Sequence, residues 1–324
     1  MAGLLVTGGC GFIGTSLIGY LVNSCGVRDI CVLDNLSASS YEDLLEVAEF
    51  VRCDPSGVLP STGLRFIEGD IRDRVLVERC CATVSQIVHL AANTGVAPSV
   101  HDPIMDMECN VIGVLNVLES ARKFRVDKFV FASSGAPAGV VEPPIHEEIA
   151  PHPASPYGAS KLAGEGYCSA YFHSFGINTI ALRFGNVYGP RSKNKSSVVA
   201  KFIRQAMANE VCEIYGDGKQ TRDFIYIEDL VRAIVLSLES SCGGEIFQIA
   251  CGVELSVIDV AEVIRAALRK HDVDMQLQTS APRVGDVMRN YSDTSKAARL
   301  LGWKASYPFE SGVEKTVQYF LDRQ

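Results

Sequence analysis

The sequence has no run of the roughly 18 apolar residues needed to cross a bilayer, so no membrane span is expected. Its first residues, MAGLLVTGGCGFIG, lack the basic segment and small-residue cleavage site of a secretory signal. The eleven cysteines are odd in number and include no CxxC pair, and no His-rich segment accompanies them. Neither a metal site nor a disulfide framework is therefore expected; reduced thiols and a cytoplasmic location are. The sequons at Asn194 and Asn290 are expected to stay unmodified for the same reason. Basic charge is in deficit, 30 Lys and Arg against 38 Asp and Glu, a net charge of −8. That balance argues against general affinity for nucleic acid or an anionic membrane. A hydrophobic content of 47% excludes disorder of the bulk chain. There is no low-complexity tract and no repeat of the length that builds solenoids.

What the sequence does have is alternation. Short runs rich in Val, Ile, Leu and Phe at 4–6, 30–33, 64–67, 86–90, 128–132 and 179–182 read as strands buried on both faces. Helical patterns at 12–23, 72–81, 105–124 and 157–175 separate them. Strand–helix–strand repetition predicts an α/β fold, a Rossmann-type doubly wound parallel sheet. After Asn186 the rhythm changes to a polar loop, GPRSKNKSS at 189–197, then a helix at 198–209, a strand at 213–215 and a GDG turn. The expected organisation is a dinucleotide-binding domain of residues 1–186, plus returning segments near 222–250. A smaller discontinuous α+β C-terminal domain, 187–221 and 251–324, would bind substrate.

The first strand runs into TGGCGFIG, with Gly8, Gly11 and Gly14 spaced by three. Such glycines permit a tight turn, close approach of backbone to a pyrophosphate, and close helix–strand packing. The helix that follows points free amides at the phosphates. Asp34 ends the second strand, where a carboxylate accepts hydrogen bonds from ribose hydroxyls and repels a 2′-phosphate. NAD is therefore favoured over its phosphorylated counterpart. Asp70 and Ile71 follow the third strand, where an adenine would lie, and Ala91 and Ala92 are small enough for a cofactor to cross.

Tyr157 and Lys161 stand four apart in PYGASK, on one face of a helix that Pro156 opens. An ammonium near a phenol favours phenolate, which would make Tyr157 a general base. Ser133 and Ser134 end the fifth strand of the pattern, where ligands bind in this fold class. The Ser134 hydroxyl could relay a substrate proton to Tyr157.

With TGGCGFIG, LDNLS, GDI (69–71), HLAA (89–92), PYGASK, LRFGNVYGPR (182–191), YGDGKQTRDFIYIEDL (215–230) and PRVGD (282–286), the whole chain resembles the extended short-chain dehydrogenase/reductases. Within them it is similar to the NAD-dependent nucleotide-sugar epimerases, such as UDP-glucose and UDP-N-acetylglucosamine 4-epimerases. The resemblance implies NAD as cofactor, a UDP-sugar as substrate, a homodimer as assembly, and C4 epimerisation through a transient 4-keto sugar. It implies catalysis by Ser134, Tyr157 and Lys161, and extends the cofactor set to Phe12, Ile13, Asn35 and Asn110. It assigns substrate contacts to Ser133, Ser134, Asn186, Arg191, Tyr215, Arg222, Arg283, Asp286 and Asn290.

Three departures bear on substrate. Ala138 stands where the family usually has Tyr, which would open space beside the sugar. Gly135 stands where related dehydratases and decarboxylases place a carboxylate, which argues against elimination. Asn290 occupies the gate position that a bulky Tyr closes in glucose-specific relatives, so tolerance of a 2-acetamido group is expected. A nucleotide-sugar dehydrogenase or reductase, or an NAD-binding regulator without activity, are the competing readings. The intact Ser134, Tyr157 and Lys161 weigh against the regulator.

Overall fold

The computed structural model describes residues 3–282 and 287–323. It contains the expected α/β architecture. Eight strands form one sheet in the order Glu245–Ile249, Asn178–Phe184, Lys128–Ser134, Gln86–His89, Leu4–Thr7, Ile30–Asp34, Leu64–Glu68 and Val51–Cys53. The central strands pair in parallel, with Leu4 opposite both Ile30 and Gln86. Leu4–Thr7 and Ile30–Asp34 are buried along their whole length, as strands covered on both faces must be.

The helices start where local chemistry provides for their free amides. Ser155 caps Pro156–Phe175 by accepting from the Gly158 amide, and Pro156 takes the first helical position. Asp73 caps Arg74–Cys81 through the Leu76 amide. The expected single helix at 105–124 is broken instead. Pro103–Met107 runs into a π-turn, Glu108–Ile112, before Gly113–Phe124 resumes. The widened turn carries the buried Asn110.

The chain divides into two compact units. The first comprises residues 1–140, 147–183 and 231–247; the second 141–146, 184–230 and 248–324. The segment 222–230, expected with the sheet domain, falls in the second unit. There Phe224–Tyr226 pairs in parallel with Asn186–Tyr188, forming a separate two-stranded sheet. Among the described residues, no helix is long and apolar enough to cross a membrane.

Candidate active site

The glycine loop separates two uses of glycine. A Cβ at Gly8, which has φ +70°, would lie 2.7 Å from the Ala91 nitrogen, and one at Gly14 would lie 2.4 Å from the Gly8 oxygen. Both positions exclude a side chain, Gly8 because it packs on the backbone at Leu90 and Ala91 and Gly14 because the loop packs on itself. At Gly11 a Cβ would meet nothing within 4 Å except the Gly8 oxygen at 3.4 Å. Gly11 thus keeps clear the start of helix Phe12–Asn23, which has no capping side chain. The helix amides beginning at Phe12, Ile13 and Gly14 are placed to receive an anion there.

Asp34 lies beside this loop. Its Oδ2 accepts from the Cys10 amide at 2.9 Å and its Oδ1 from the Leu36 amide at 2.8 Å. Burial pushes the carboxyl above its ordinary value, and the two amides oppose that rise. Two bonds use about half of a carboxylate's acceptor capacity, which leaves capacity for ribose hydroxyls. Cys10 itself is a buried spacer whose thiol burial pushes upward. The cleared helix start and the adjacent carboxylate fit a dinucleotide.

Farther along, Asp70 takes a bidentate contact from Arg72 (3.0 and 2.9 Å) and one from the Asn35 amide at 3.0 Å. These donors hold its carboxyl at about 2. Ile71 is buried against Gly113, so its side chain serves the core and only its main chain could touch a cofactor. The Ala91 amide donates to Thr7 Oγ1 at 3.3 Å, and Ala92 is half-buried.

Tyr157 and Lys161 occupy helix Pro156–Phe175, and Ser134 ends strand Lys128–Ser134. Lys161 Nζ donates to the Ala132 carbonyl at 2.9 Å and lies 5.9 Å from the Tyr157 ring centroid. Burial brings the lysine down to about 8. The Tyr157 phenol is pushed above its ordinary value, first by desolvation and then by the Asp106 charge, and the nearby Ser134 hydroxyl opposes that rise. In the protein alone burial outweighs other influences, and the Lys161 proton is directed to a carbonyl.

Asn110 was expected against the cofactor, but its amide is engaged within the protein. Its Oδ1 accepts from the Asn93 amide at 2.8 Å, and its two Nδ2 hydrogens are donated to Asn93 O and Asp106 Oδ1, both at 2.9 Å, with Ser160 Oγ within reach at 3.2 Å. Ser133 was expected to touch substrate, yet its buried hydroxyl donates to Glu165 Oε1 at 2.6 Å. The loop after Ser134 also differs from expectation. Ala138 is fully buried in a 3₁₀ turn, Ala136–Ala138, rather than leaving open space. A Cβ at Gly135, in contrast, would meet nothing within 4 Å among the described residues.

In the second unit, Asn186 donates its main-chain N–H to the Asp223 carbonyl at 2.8 Å. Arg222 donates to Thr221 O and Val287 O at 2.7 and 2.6 Å. The Tyr215 hydroxyl donates to Glu213 at 3.1 Å, and half-buried Arg191 adopts φ +70°. The Asn290 amide donates to Thr221 Oγ1 at 3.2 Å. Arg283 and Asp286 lie outside the described residues.

The profile of the NAD dependent epimerase/dehydratase family matches residues 4–250. The chain belongs to this family. Its similarity to individual family members runs end to end. It is 36% identical to a putative UDP-glucose 4-epimerase of Methanocaldococcus jannaschii, across 98% of this chain and 97% of that one. The solved UDP-glucose 4-epimerase of Thermotoga maritima with UDP-glucose is 34% identical, with a TM-score of 0.87 and 99% of both chains covered. A UDP-N-acetylglucosamine 4-epimerase from Methanobrevibacter ruminantium, in complex with UDP-N-acetylmuramic acid, is 30% identical. Its TM-score is 0.86, covering 100% of this chain and 99% of that one.

For this epimerase/dehydratase family member, reading the sequence missed four residues around the expected catalytic group. They are Ser99, whose Oγ accepts from the Tyr157 amide at 3.0 Å, and Asp106, Glu165 and Arg183. Glu165 follows Lys161 by four residues and Asp106 precedes Asn110 by four, so helical spacing was the available signal.

Proposed function

We propose that the protein interconverts the C4 epimers of a UDP-sugar through a transient 4-keto sugar, with NAD held throughout the cycle. The observation that carries this reading is the gathering of Ser134, Tyr157 and a buried Lys161, whose Nζ lies 5.9 Å from the Tyr157 ring centroid and donates to the carbonyl two residues before Ser134, in a chain with whole-length likeness to 4-epimerases. When bound, NAD supplies reversible hydride acceptance at the sugar C4 and the positive charge of its oxidised ring. Phe12, Ile13 and Gly14 hold its phosphates, and Asp34 its ribose.

Tyr157 is the general base for the sugar 4-hydroxyl, and Ser134 relays the proton. The desolvated phenol resists ionisation by itself, so the base form is favoured when positive charge is brought beside it. Lys161 retains most of its charge at neutral pH and adds to that field. The planar keto sugar would then turn about its diphosphate and present its other face for return of the hydride to C4, while Tyr157 would return the proton to the 4-oxygen. Asn186, Arg222 and Arg283 hold the diphosphate and Asp286 the nucleoside, while Arg191 and Tyr215 complete the substrate contacts.

Similar proteins also include dTDP-glucose 4,6-dehydratases. Elimination needs an acid and a base beside the sugar, and Gly135 provides neither. Asn290 leaves room for a 2-acetamido group on the sugar. The nicotinamide absorbance tests the reading. An epimerase consumes UDP-sugar with no net change, whereas a steady change during turnover identifies a dehydrogenase or reductase instead.

A further inference from the structure

The proposed catalytic group is carried by two elements that must be held at fixed rotation to each other. Ser134 ends a strand, whereas Tyr157 and Lys161 stand on a helix. One tie is the Lys161–Ala132 bond. A second lies one helical turn further on, at Glu165. Its Oε1 accepts from Ser133 Oγ at 2.6 Å and from Arg183 Nε at 2.7 Å, and its Oε2 accepts from Arg183 Nη2 at 2.7 Å. Arg183 lies on the neighbouring strand, Asn178–Phe184. A single carboxylate therefore joins the helix to both strands.

Stability gives a poor reason for this arrangement. Glu165 and Arg183 are each 2% exposed and Ser133 is 4% exposed. Burying an ion pair costs the hydration of both charges, and well-packed apolar side chains often serve the fold equally well or better. The cost here is raised because Arg183 Nη1 is buried without a hydrogen-bond partner among the described residues. What the trio provides is direction. A bidentate guanidinium–carboxylate pair fixes the plane of the carboxylate, and that plane fixes the rotamer of Ser133. Ser133 precedes Ser134, so pinning its hydroxyl sets the rotation of the strand end and the aim of the Ser134 hydroxyl at Tyr157.

We infer that Ser133, Glu165 and Arg183 are positioning residues for the proton transfer between substrate, Ser134 and Tyr157, an inference that rests on the epimerase reading above for its kinetic consequence. Removing the Ser133 hydroxyl frees the strand end while retaining the Glu165–Arg183 pair, so the fold survives. A misplacement of about 1 Å near reacting atoms costs up to about a hundredfold in rate.

The test compares Ser133→Ala and Ser133→Thr with the wild-type holoenzyme. Two readouts are used: UDP-sugar epimerisation, and the ionisation midpoint of Tyr157. The midpoint comes from ultraviolet difference titration against the matching Tyr157→Phe protein. Ser133→Ala is expected to lower kcat by about ten- to a hundredfold with KM little changed, and to raise the Tyr157 midpoint. Ser133→Thr restores both. A wild-type kcat and midpoint in Ser133→Ala, or a loss that Thr does not restore, overturns the positioning role while leaving the epimerase intact. A raised midpoint in Ser133→Ala, in a wild-type protein that turns over no UDP-sugar, supports the positioning role and overturns the epimerase reading.

Discussion

Lys161 reaches from its helix to the Ala132 carbonyl, with Nζ and O 2.9 Å apart, two residues before Ser134 on the same strand. The bond holds the ammonium 5.9 Å from the Tyr157 ring centroid and joins the two elements that carry the proposed proton relay. Replacing it by Met removes both the tie and the charge. Lys161→Met is expected to lower kcat by about 10²–10⁴-fold, the usual contribution of a general acid–base group. Steady-state kinetics check this, with bound NAD quantified to separate lost cofactor from lost chemistry.

The same lysine separates activity from stability as pH rises. Its value in the folded protein is about 8, below the ordinary 10.5, so the unfolded chain holds the proton more tightly. The burial cost is full below about pH 8 and is relieved as pH rises toward 10.5, so folding stability gains across that window. Turnover should instead fall as pH passes about 8 and the ammonium is lost. Thermal unfolding at a series of pH values, wild type against Lys161→Met, should show the stability slope reduced in the variant.

Gly11 and Gly8 should respond differently to Ala. Gly11→Ala puts a methyl over the start of the first helix without a clash inside the protein. It should weaken NAD binding about tenfold or more, a loss near 1.4 kcal/mol, with the unfolding temperature of the cofactor-free protein nearly unchanged. Gly8→Ala strains a positive-φ position against Ala91 and should destabilise the fold itself. Calorimetric titration with NAD and thermal unfolding of both variants check the contrast.

The loop after Ser134 offers a second contrast. A Cβ at Gly135 meets open space, so Gly135→Ala should change stability by less than about 0.5 kcal/mol. Gly139 has φ +73°, and a Cβ there would lie 1.8 Å from the His152 carbonyl oxygen. Gly139→Ala should cost more than about 2 kcal/mol in denaturant unfolding. Equal stability of the two variants would contradict the loop geometry.

The Asn290 main-chain N–H donates to Thr221 Oγ1, and among the described residues its side chain has no hydrogen-bond partner. Replacing the side chain by Tyr should leave the backbone in place and close the proposed gate. Asn290→Tyr should lower kcat/KM for a UDP-2-acetamido sugar by at least about tenfold relative to the 2-hydroxy sugar, a difference near 1.4 kcal/mol. Unchanged preference in a folded variant would remove the gate role.

The sheet and the glycine loop were legible because their signals are contiguous in the chain. The buried strands read as apolar runs, and the helix at Phe12–Asn23 follows directly from its glycine start. Glu165 and Arg183 were not legible, because a buried charge looks like a surface charge until the partner, 18 residues away, is placed beside it. The π-turn at Glu108–Ile112 escaped for a related reason. Its sequence, ECNVI, has no Gly or Pro, and the extra residue is accommodated by the tertiary bonds of Asn110. Ser133 and Ala138 were misread because a strand end and a small residue beside a site look accessible in sequence, whereas both are buried.

The most direct measurement is a panel of UDP-sugars, both 2-hydroxy and 2-acetamido, incubated with purified protein and no added cofactor. Chromatographic separation of the products should reveal a C4 epimer approaching an equilibrium mixture from either side, with no accumulation of reduced nicotinamide. Absence of any epimer from a folded, NAD-loaded protein, or formation of a dehydrated or permanently oxidised sugar, would contradict the proposed function.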